Sequence, residues 1–175
     1  SDSPEIHNIS FILSRNTLVT IRYVNTMPFD MFLSRKERVA REHYHGSSVF
    51  AGLFEALVDR LSDVLEKTGH HIDEVSREIF LPHEKKQKRL GQRKLDFEKL
   101  LKEVGRTGDL ISKARESLFS FQRAISFVGQ TDYFKNAEDG QRLQVLARDI
   151  VALGDHAAFL SQKVNFLLAA TLGML

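Results

Sequence analysis

The side chains best suited to chemistry in this sequence are aspartates that recur at short spacing. Asp59 and Asp63 are four residues apart, and Asp149 and Asp155 form a second pair. Paired carboxylates carry out acid–base catalysis when a pocket around them separates their pKa values. The sequence predicts no such pocket, and it lacks the motifs of P-loop, dinucleotide-binding and serine-hydrolase enzymes. We therefore predict a protein that is not an enzyme and has no catalytic residues.

Asp155 could bind a cation if its helix associates with copies of itself. It lies beside the apolar positions Leu153 and Ala157, so a symmetric bundle would turn one aspartate into a ring. Such a ring is repulsive unless a cation sits in or near it. Hard carboxylate oxygens suit Mg²⁺, which keeps several of its waters. The alternative is that Asp155 simply points to solvent.

Two further groups of polar residues offer weaker signals. His70 and Glu74 stand one helical turn apart and could form half of a zinc site, but the sequence favours a solvent-facing histidine at a helix end. Residues 83–94 form a basic link that could contact phosphate. Aromatic residues for base stacking are missing from this link, so we do not predict a nucleic-acid partner.

Composition indicates one ordinary globular domain. The chain has 175 residues, of which 42% are hydrophobic and 27% charged, and its net charge is only +2. It contains no cysteine, which excludes disulfides, thiolate zinc sites and cysteine nucleophiles. No secretory signal is visible, and no apolar run approaches the roughly 18 residues of a membrane span.

The first part of the chain predicts a β-hairpin and a short helix. Residues 9–24 consist of two β-rich runs separated by a polar break at residues 14–16. Pro28 then precedes a helical pattern over about residues 29–42. An isolated hairpin is at best marginally stable, so we expect these strands to need further partners.

Three long helices are predicted to follow. One begins at the cap signal of residues 46–48 and ends before Pro82, and the second covers about residues 95–128 with a weak point at Gly105 and Gly108. Residues 129–140 are predicted to form the next turn. The fold class is therefore α+β and mostly α.

The last helix carries a strict heptad seam, which indicates packing along the whole length of a partner helix. The seam steps by three and four residues through Leu143, Leu146, Ile150, Leu153, Ala157, Leu160, Val164 and Leu167. Beyond Val164 the apolar residues cover most of the circumference, which is typical of a helix that enters a core or a membrane.

Three stretches together resemble the CorA family of divalent-cation transporters. "ISFILSRNTLVTIRY" resembles the strand pair that precedes the helices of that family, and "LFEALVDRLSDVLEKTGHHIDEVSREIF" resembles its long acidic helix. "DHAAFLSQKVNFLLAATLGML" resembles the stalk helix that runs into the membrane. The order and spacing of the three stretches carry the resemblance from about residue 9 to residue 175.

The resemblance implies a fragment of a larger protein. Residues 1–45 would be the last strand pair and short helix of a cytoplasmic α/β/α domain, and residues 46–140 two long antiparallel helices. Residues 141–175 would be the stalk helix, truncated before the first transmembrane span. The family works as a homopentamer, so the implied partners are copies of this chain and, through missing C-terminal segments, the cytoplasmic face of the bacterial inner membrane.

The resemblance also implies metal sites. In this family, Mg²⁺ held between cytoplasmic domains favours the closed pore. Asp59, in "ALVD", matches an acidic position near the regulatory sites, and Asp155 matches an acidic position on the stalk. The family's aspartate in "LLDATLG" is Ala169 here, which removes a carboxylate expected to help hold the regulatory cation.

The function implied is the soluble cytoplasmic portion of a magnesium/cobalt transporter, which regulates an ion pore through cation binding between subunits. Mg²⁺ is the expected regulatory ion, and Co²⁺ and Zn²⁺ are alternatives. Two other interpretations stay open. The chain could belong to the zinc-transporting branch of the same family, or it could be a free-standing coiled-coil protein whose helices bind a partner.

Overall fold

The computed structural model describes residues 5–36, 45–80 and 90–173. A hairpin is followed by long helices, which confirms the mostly helical α+β class. The elements in chain order are β1 (Ile9–Leu13), β2 (Leu18–Arg22), α1 (Met27–Lys36), α2 (Gly46–Phe80), α3 (Leu90–Val128), a 3-10 turn (Asp132–Phe134) and α4 (Ala137–Gly173). The expected end of the first helix near residue 42 and the expected stop at Pro82 lie outside the described residues.

The chain forms two compact units, each built from two separate segments. Unit 1 comprises Ser1–Asp63 and Ser117–Gly154, and unit 2 comprises Val64–Glu116 and Asp155–Leu175. Each of the long helices α2, α3 and α4 therefore contributes residues to both units. The functional division into residues 1–45, 46–140 and 141–175 stays a prediction.

The hairpin of unit 1 packs one face on α2 and leaves the other in solvent. Strands β1 and β2 pair antiparallel, and Ser14 N–H donates to the Thr17 carbonyl at 2.9 Å in the turn. Phe11 places its ring 5.7 Å from that of Phe50 and 5.2 Å from that of Phe54. Alternate side chains point away from this contact, as strand geometry requires, and the exposed apolar ones are Ile12, Val19 and Ile21.

The start of α2 explains part of the predicted cap signal. The hydroxyl of Ser48 accepts a hydrogen bond from the His45 N–H at 3.1 Å and donates to the His45 carbonyl at 2.9 Å. A Cβ at Gly46 would lie only 2.5 Å from the Ser14 carbonyl oxygen. Glycine is therefore needed here because the hairpin turn approaches the helix backbone directly.

The heptad seam of α4 is covered by helices of the same chain. In unit 1, Leu143 approaches to 3.2 Å of where a Cβ on Gly129 would lie. In unit 2, Val164 lies 3.2 Å from the corresponding position at Gly108 of α3. The buried seam residues are Leu143, Leu146, Ile150, Ala157, Leu160, Val164 and Leu167. The buried seam therefore packs within one chain. Helix α3 continues as a single helix through Gly105 and Gly108, and of these two only Gly108 is closely approached by another side chain.

Within the described ranges, no helix is both long enough and apolar enough to span a membrane.

Candidate cation site and the exposed face of α4

Asp155 lies on a second heptad stripe of α4, on a different face from the buried seam. We call Asp155, Phe159, Gln162, Phe166 and Ala169 the outer stripe, and its members follow one another by four and three residues. All five side chains are exposed, with 58% of Phe159 and 61% of Phe166 accessible to solvent. The outer stripe belongs to unit 2.

The outer stripe contains both positions of α4 that the sequence analysis singled out, Asp155 and Ala169. Asp155 and Ala169 are 14 residues apart, which is about 21 Å along a helix axis, and they share this exposed face. Aromatic side chains in the middle of such a face are unusual for a helix surrounded by water. The chemistry available along the stripe is therefore a carboxylate at one end, an apolar centre, and the small side chain of Ala169 at the other end.

Asp59 lies elsewhere, on the exposed side of α2 in unit 1. Asp59 takes part in an interaction within the chain. The structure therefore places Asp59 and Asp155 on different helices and in different units. Their roles as metal ligands stay predictions.

One described chain does not by itself assemble a cation site. Across residues 5–36, 45–80 and 90–173, no three His, Asp or Glu side chains come together closely enough to hold a metal ion. Mg²⁺ is commonly held by only one or two carboxylates while its remaining ligands are waters. A role for Asp155 as a Mg²⁺ ligand stays a prediction.

The histidines of α2 pair with carboxylates but do not form the zinc half-site considered from the sequence. His70 lies 3.8 Å from Glu66, whereas Glu74 lies 3.9 Å from His71. The stronger contact of His71 is with Glu103 of α3, where Nε2 and Oε1 are 3.0 Å apart. These pairs link neighbouring turns and helices within unit 2.

A buried polar network holds the start of α4 against α2 in unit 1. The Asp139 carboxylate accepts hydrogen bonds from the Ser47 hydroxyl at 2.6 Å and from the Asn136 amide at 2.9 Å. The Asn136 side-chain oxygen accepts from the Asp139 N–H at 2.7 Å, which caps the helix. Asp139 is buried, so this carboxylate serves packing and capping. Sequence reasoning missed it, although an Asn three residues before an Asp at a helix start is a recognisable cap signal.

One ion pair reinforces the helix contacts inside each unit. In unit 1, Arg142 donates Nε and a terminal nitrogen to both oxygens of Glu55, at 2.9 and 2.8 Å. This bidentate bond raises the pKa of the Arg142 guanidinium above its ordinary value. In unit 2, Lys163 of α4 donates to Asp73 of α2, and this hydrogen bond lowers the pKa of the Asp73 carboxyl.

Comparisons with known proteins agree with the resemblance read from the sequence. A family model described as CorA-like Mg²⁺ transporter protein matches residues 1–171. Proteins named magnesium transport protein CorA are similar to the chain. The one from Mannheimia succiniciproducens is 27% identical over 172 residues, covering 98% of this chain and 51% of that protein. The one from Haemophilus influenzae is 27% identical over 169 residues, covering 97% and 50%.

A third relative, from Salmonella typhimurium, is 26% identical over 167 residues, covering 95% of this chain and 50% of its own length. The chain therefore spans about half the length of these relatives. Because the family model covers nearly every residue, from the hairpin to the end of α4, this chain belongs to the CorA-like Mg²⁺ transporter family.

Proposed function

We propose that this chain is the cytoplasmic portion of a CorA-type magnesium transporter and that it regulates transport rather than catalysing a reaction. The match of the family model to residues 1–171 is the observation that carries this proposal. Relatives of twice the length are named magnesium transport proteins, which supports Mg²⁺ as the transported ion. Co²⁺ as a second cargo stays a prediction from the resemblance alone.

The proposed assembly is a homopentamer in which the outer stripes of neighbouring chains face one another. Support comes from the different burial of the two faces of α4. The seam at Ala157, Leu160 and Val164 is already buried inside the chain, whereas Phe159 and Phe166 are not. Burying exposed aromatic rings between copies would remove apolar surface from water, which favours association.

The proposed regulation is electrostatic. Asp155 carboxylates brought together around a symmetry axis repel one another, and a Mg²⁺ ion bound between them cancels the repulsion. Mg²⁺ then stabilises the closed assembly by its greater affinity for that arrangement, and a fall in Mg²⁺ releases it. Asp59 would contribute a further carboxylate on α2. Ala169 cannot contribute one, so regulation here would depend on fewer acidic groups than the family pattern provides.

Analytical ultracentrifugation of this chain with and without Mg²⁺ tests the proposal. We expect association that strengthens with Mg²⁺, and we expect Asp155→Asn to associate without needing Mg²⁺. Glu116→Gln, which removes an exposed charge from α3, is the matched control and should behave like the unmodified chain. Ala169→Asp should make association more dependent on Mg²⁺.

A chain that stays monomeric at high concentration in Mg²⁺ would contradict the pentameric stalk. Association that responds to Zn²⁺ and not to Mg²⁺ or Co²⁺ would instead support the zinc-transporting branch. A gene in which the reading frame stops after Leu175, with no apolar segments encoded beyond it, would support a free-standing interaction protein.

A further inference from the structure

Unit 2 contains an open groove whose lining is mainly basic. The groove has a volume of about 540 Å³, and we call it the basic groove. His71 of α2 lines one side, and the other side is formed by residues of α3: Lys99, Lys102, Glu103, Arg106 and Thr107. No function discussed above uses these side chains.

The cations of the basic groove lack acidic partners in the described part of the chain. Lys99, Lys102 and Arg106 are exposed and follow one another by three and four residues, so they share one face of α3. Like charges at this spacing repel each other. Glu98 stands four residues before Lys102 and Glu103 four residues after Lys99, but neither pairs with these cations in the described part of the chain, so a bound anion would supply a countercharge.

Glu103 is the one carboxylate in the lining, and it is already engaged. Its Oε1 lies 3.0 Å from Nε2 of His71. Three permanent positive charges thus face one negative charge, which leaves the groove net positive even when His71 is neutral. The guanidinium of Arg106 matches a phosphate bidentately, while the two lysines act as point charges.

The surroundings favour a lipid headgroup over a nucleic acid. The lining contains no Phe, Tyr or Trp, and its one aromatic ring, His71, is engaged with Glu103, so it offers a poor platform for base stacking. Basic side chains near a membrane surface are attracted by the anionic headgroups of its lipids.

The sequence is also basic ahead of the groove residues. Residues 84–98 contain six Lys or Arg and three Asp or Glu. Clusters of this kind next to a membrane attract the anionic lipids of the cytoplasmic leaflet. We propose that the basic groove, through Lys99, Lys102 and Arg106, binds the phosphate of an anionic phospholipid headgroup. This inference rests on the proposed function, since a chain held at a membrane would have such lipids within reach.

Vesicle co-sedimentation of this chain provides the test. The probes are vesicles of phosphatidylcholine alone and vesicles with equal parts of phosphatidylcholine and phosphatidylglycerol. We expect binding only to the second kind. In the triple variant Lys99→Gln, Lys102→Gln, Arg106→Gln, partitioning should fall roughly 100-fold, which corresponds to about 1 kcal/mol for each basic side chain near the surface.

A matched control removes three exposed cations that lie outside the groove: Lys67→Gln, Arg115→Gln and Arg123→Gln. It should lose much less binding than the groove variant. Glu103→Gln should strengthen binding several-fold, because it removes the only carboxylate of the lining while an amide can still accept from His71. Circular dichroism establishes that each variant, Glu103→Gln included, is folded before its binding is compared.

Three results would overturn the proposal. Equal losses in the groove variant and the control would mean that binding follows net charge and not this site. Failure of the folded chain to bind phosphatidylglycerol vesicles would show that the basic groove does not bind an anionic lipid. Binding of inorganic phosphate or of single-stranded RNA through the same three side chains, without vesicle binding, would reassign the groove. Mg²⁺-dependent association is measured on the same variants. A chain that associates in Mg²⁺ but does not bind vesicles contradicts the lipid proposal alone and not the proposed function.

Discussion

Asp139 provides the sharpest test of how the structure holds α4 in place. Its carboxylate is buried in unit 1, where it accepts a 2.6 Å hydrogen bond from Ser47 of α2 and a 2.9 Å hydrogen bond from Asn136. Arg142 lies 4.0 Å from the other carboxylate oxygen. Asp139→Ala would remove these contacts at once and leave two polar donors without their acceptor.

The expected cost follows from the number and kind of bonds lost. A hydrogen bond to a charged group contributes about 1.5–3 kcal/mol, and removing one partner of a buried charged pair costs about 3–5 kcal/mol. Arg142 keeps both of its bonds to Glu55, so no buried charge is left unpaired. We therefore expect Asp139→Ala to lower the free energy of unfolding by about 2–4 kcal/mol. For a chain of this length that is a fall in Tm of roughly 4–16 °C.

Urea unfolding followed by circular dichroism measures this change. Asp149→Ala, an exposed aspartate on the same helix, is the matched control and should change stability by less than about 0.5 kcal/mol. Ser47→Ala should cost about 1–2 kcal/mol because it removes a single donor. The two changes should be coupled, with the double variant less destabilised than the sum by about 1–2 kcal/mol.

The reasoning is refuted if Asp139→Ala costs no more than Asp149→Ala. It is also refuted if the effects of Ser47→Ala and Asp139→Ala add without coupling, since the 2.6 Å contact would then contribute nothing.

Three further predictions concern packing, ion pairing and backbone contacts. Leu160→Ala, in the buried seam, should lower the free energy of unfolding by about 2–5 kcal/mol in the same urea experiment, and a loss below about 1 kcal/mol would mean that the seam is not packed as described. Because Lys163 lowers the pKa of Asp73, that pair stabilises the folded chain above the ordinary aspartate pKa of about 3.9, and its contribution is lost as pH falls through the lower folded value. Lys163→Met should return the Asp73 pKa towards its ordinary value in an NMR titration, and an unchanged titration would show that the pair does not form. Gly46→Ala should destabilise because its Cβ would lie 2.5 Å from a backbone oxygen, whereas Gly154→Ala, with open space around it, should stabilise by up to about 1 kcal/mol; thermal melts that rank the two variants the other way would contradict the geometry.

Local patterns predicted the elements well because each pattern is a property of adjacent residues. The alternation in residues 9–24 predicted both strands, and the three- and four-residue spacing predicted α2, α3 and α4. Boundaries shifted where local signals were weak. Helix α3 begins at Leu90, five residues before the expected start, and α4 begins at Ala137 inside the expected turn, where Asn136 caps it.

The candidate site was less accessible to sequence reasoning. The spacing of Asp155 next to the seam indicated that it could face a partner, but the seam itself is buried against the chain's own helices. Only after that burial is known does the outer stripe emerge as the free face of α4. Similarly, Asp139 and Ser47 are 92 residues apart in sequence, so no local pattern could have joined them.

The sequence by itself determined which segments are strands and helices and to which family the chain belongs, because periodicity and motif order are written along the chain. Tertiary structure decided which of the two stripes of α4 is buried, which carboxylates are engaged, and which cations are left without partners. These depend on distances between residues far apart in sequence. Burial and charge pairing are set by what packs against a side chain, and a single helix pattern cannot distinguish a neighbour in the same chain from one in another copy.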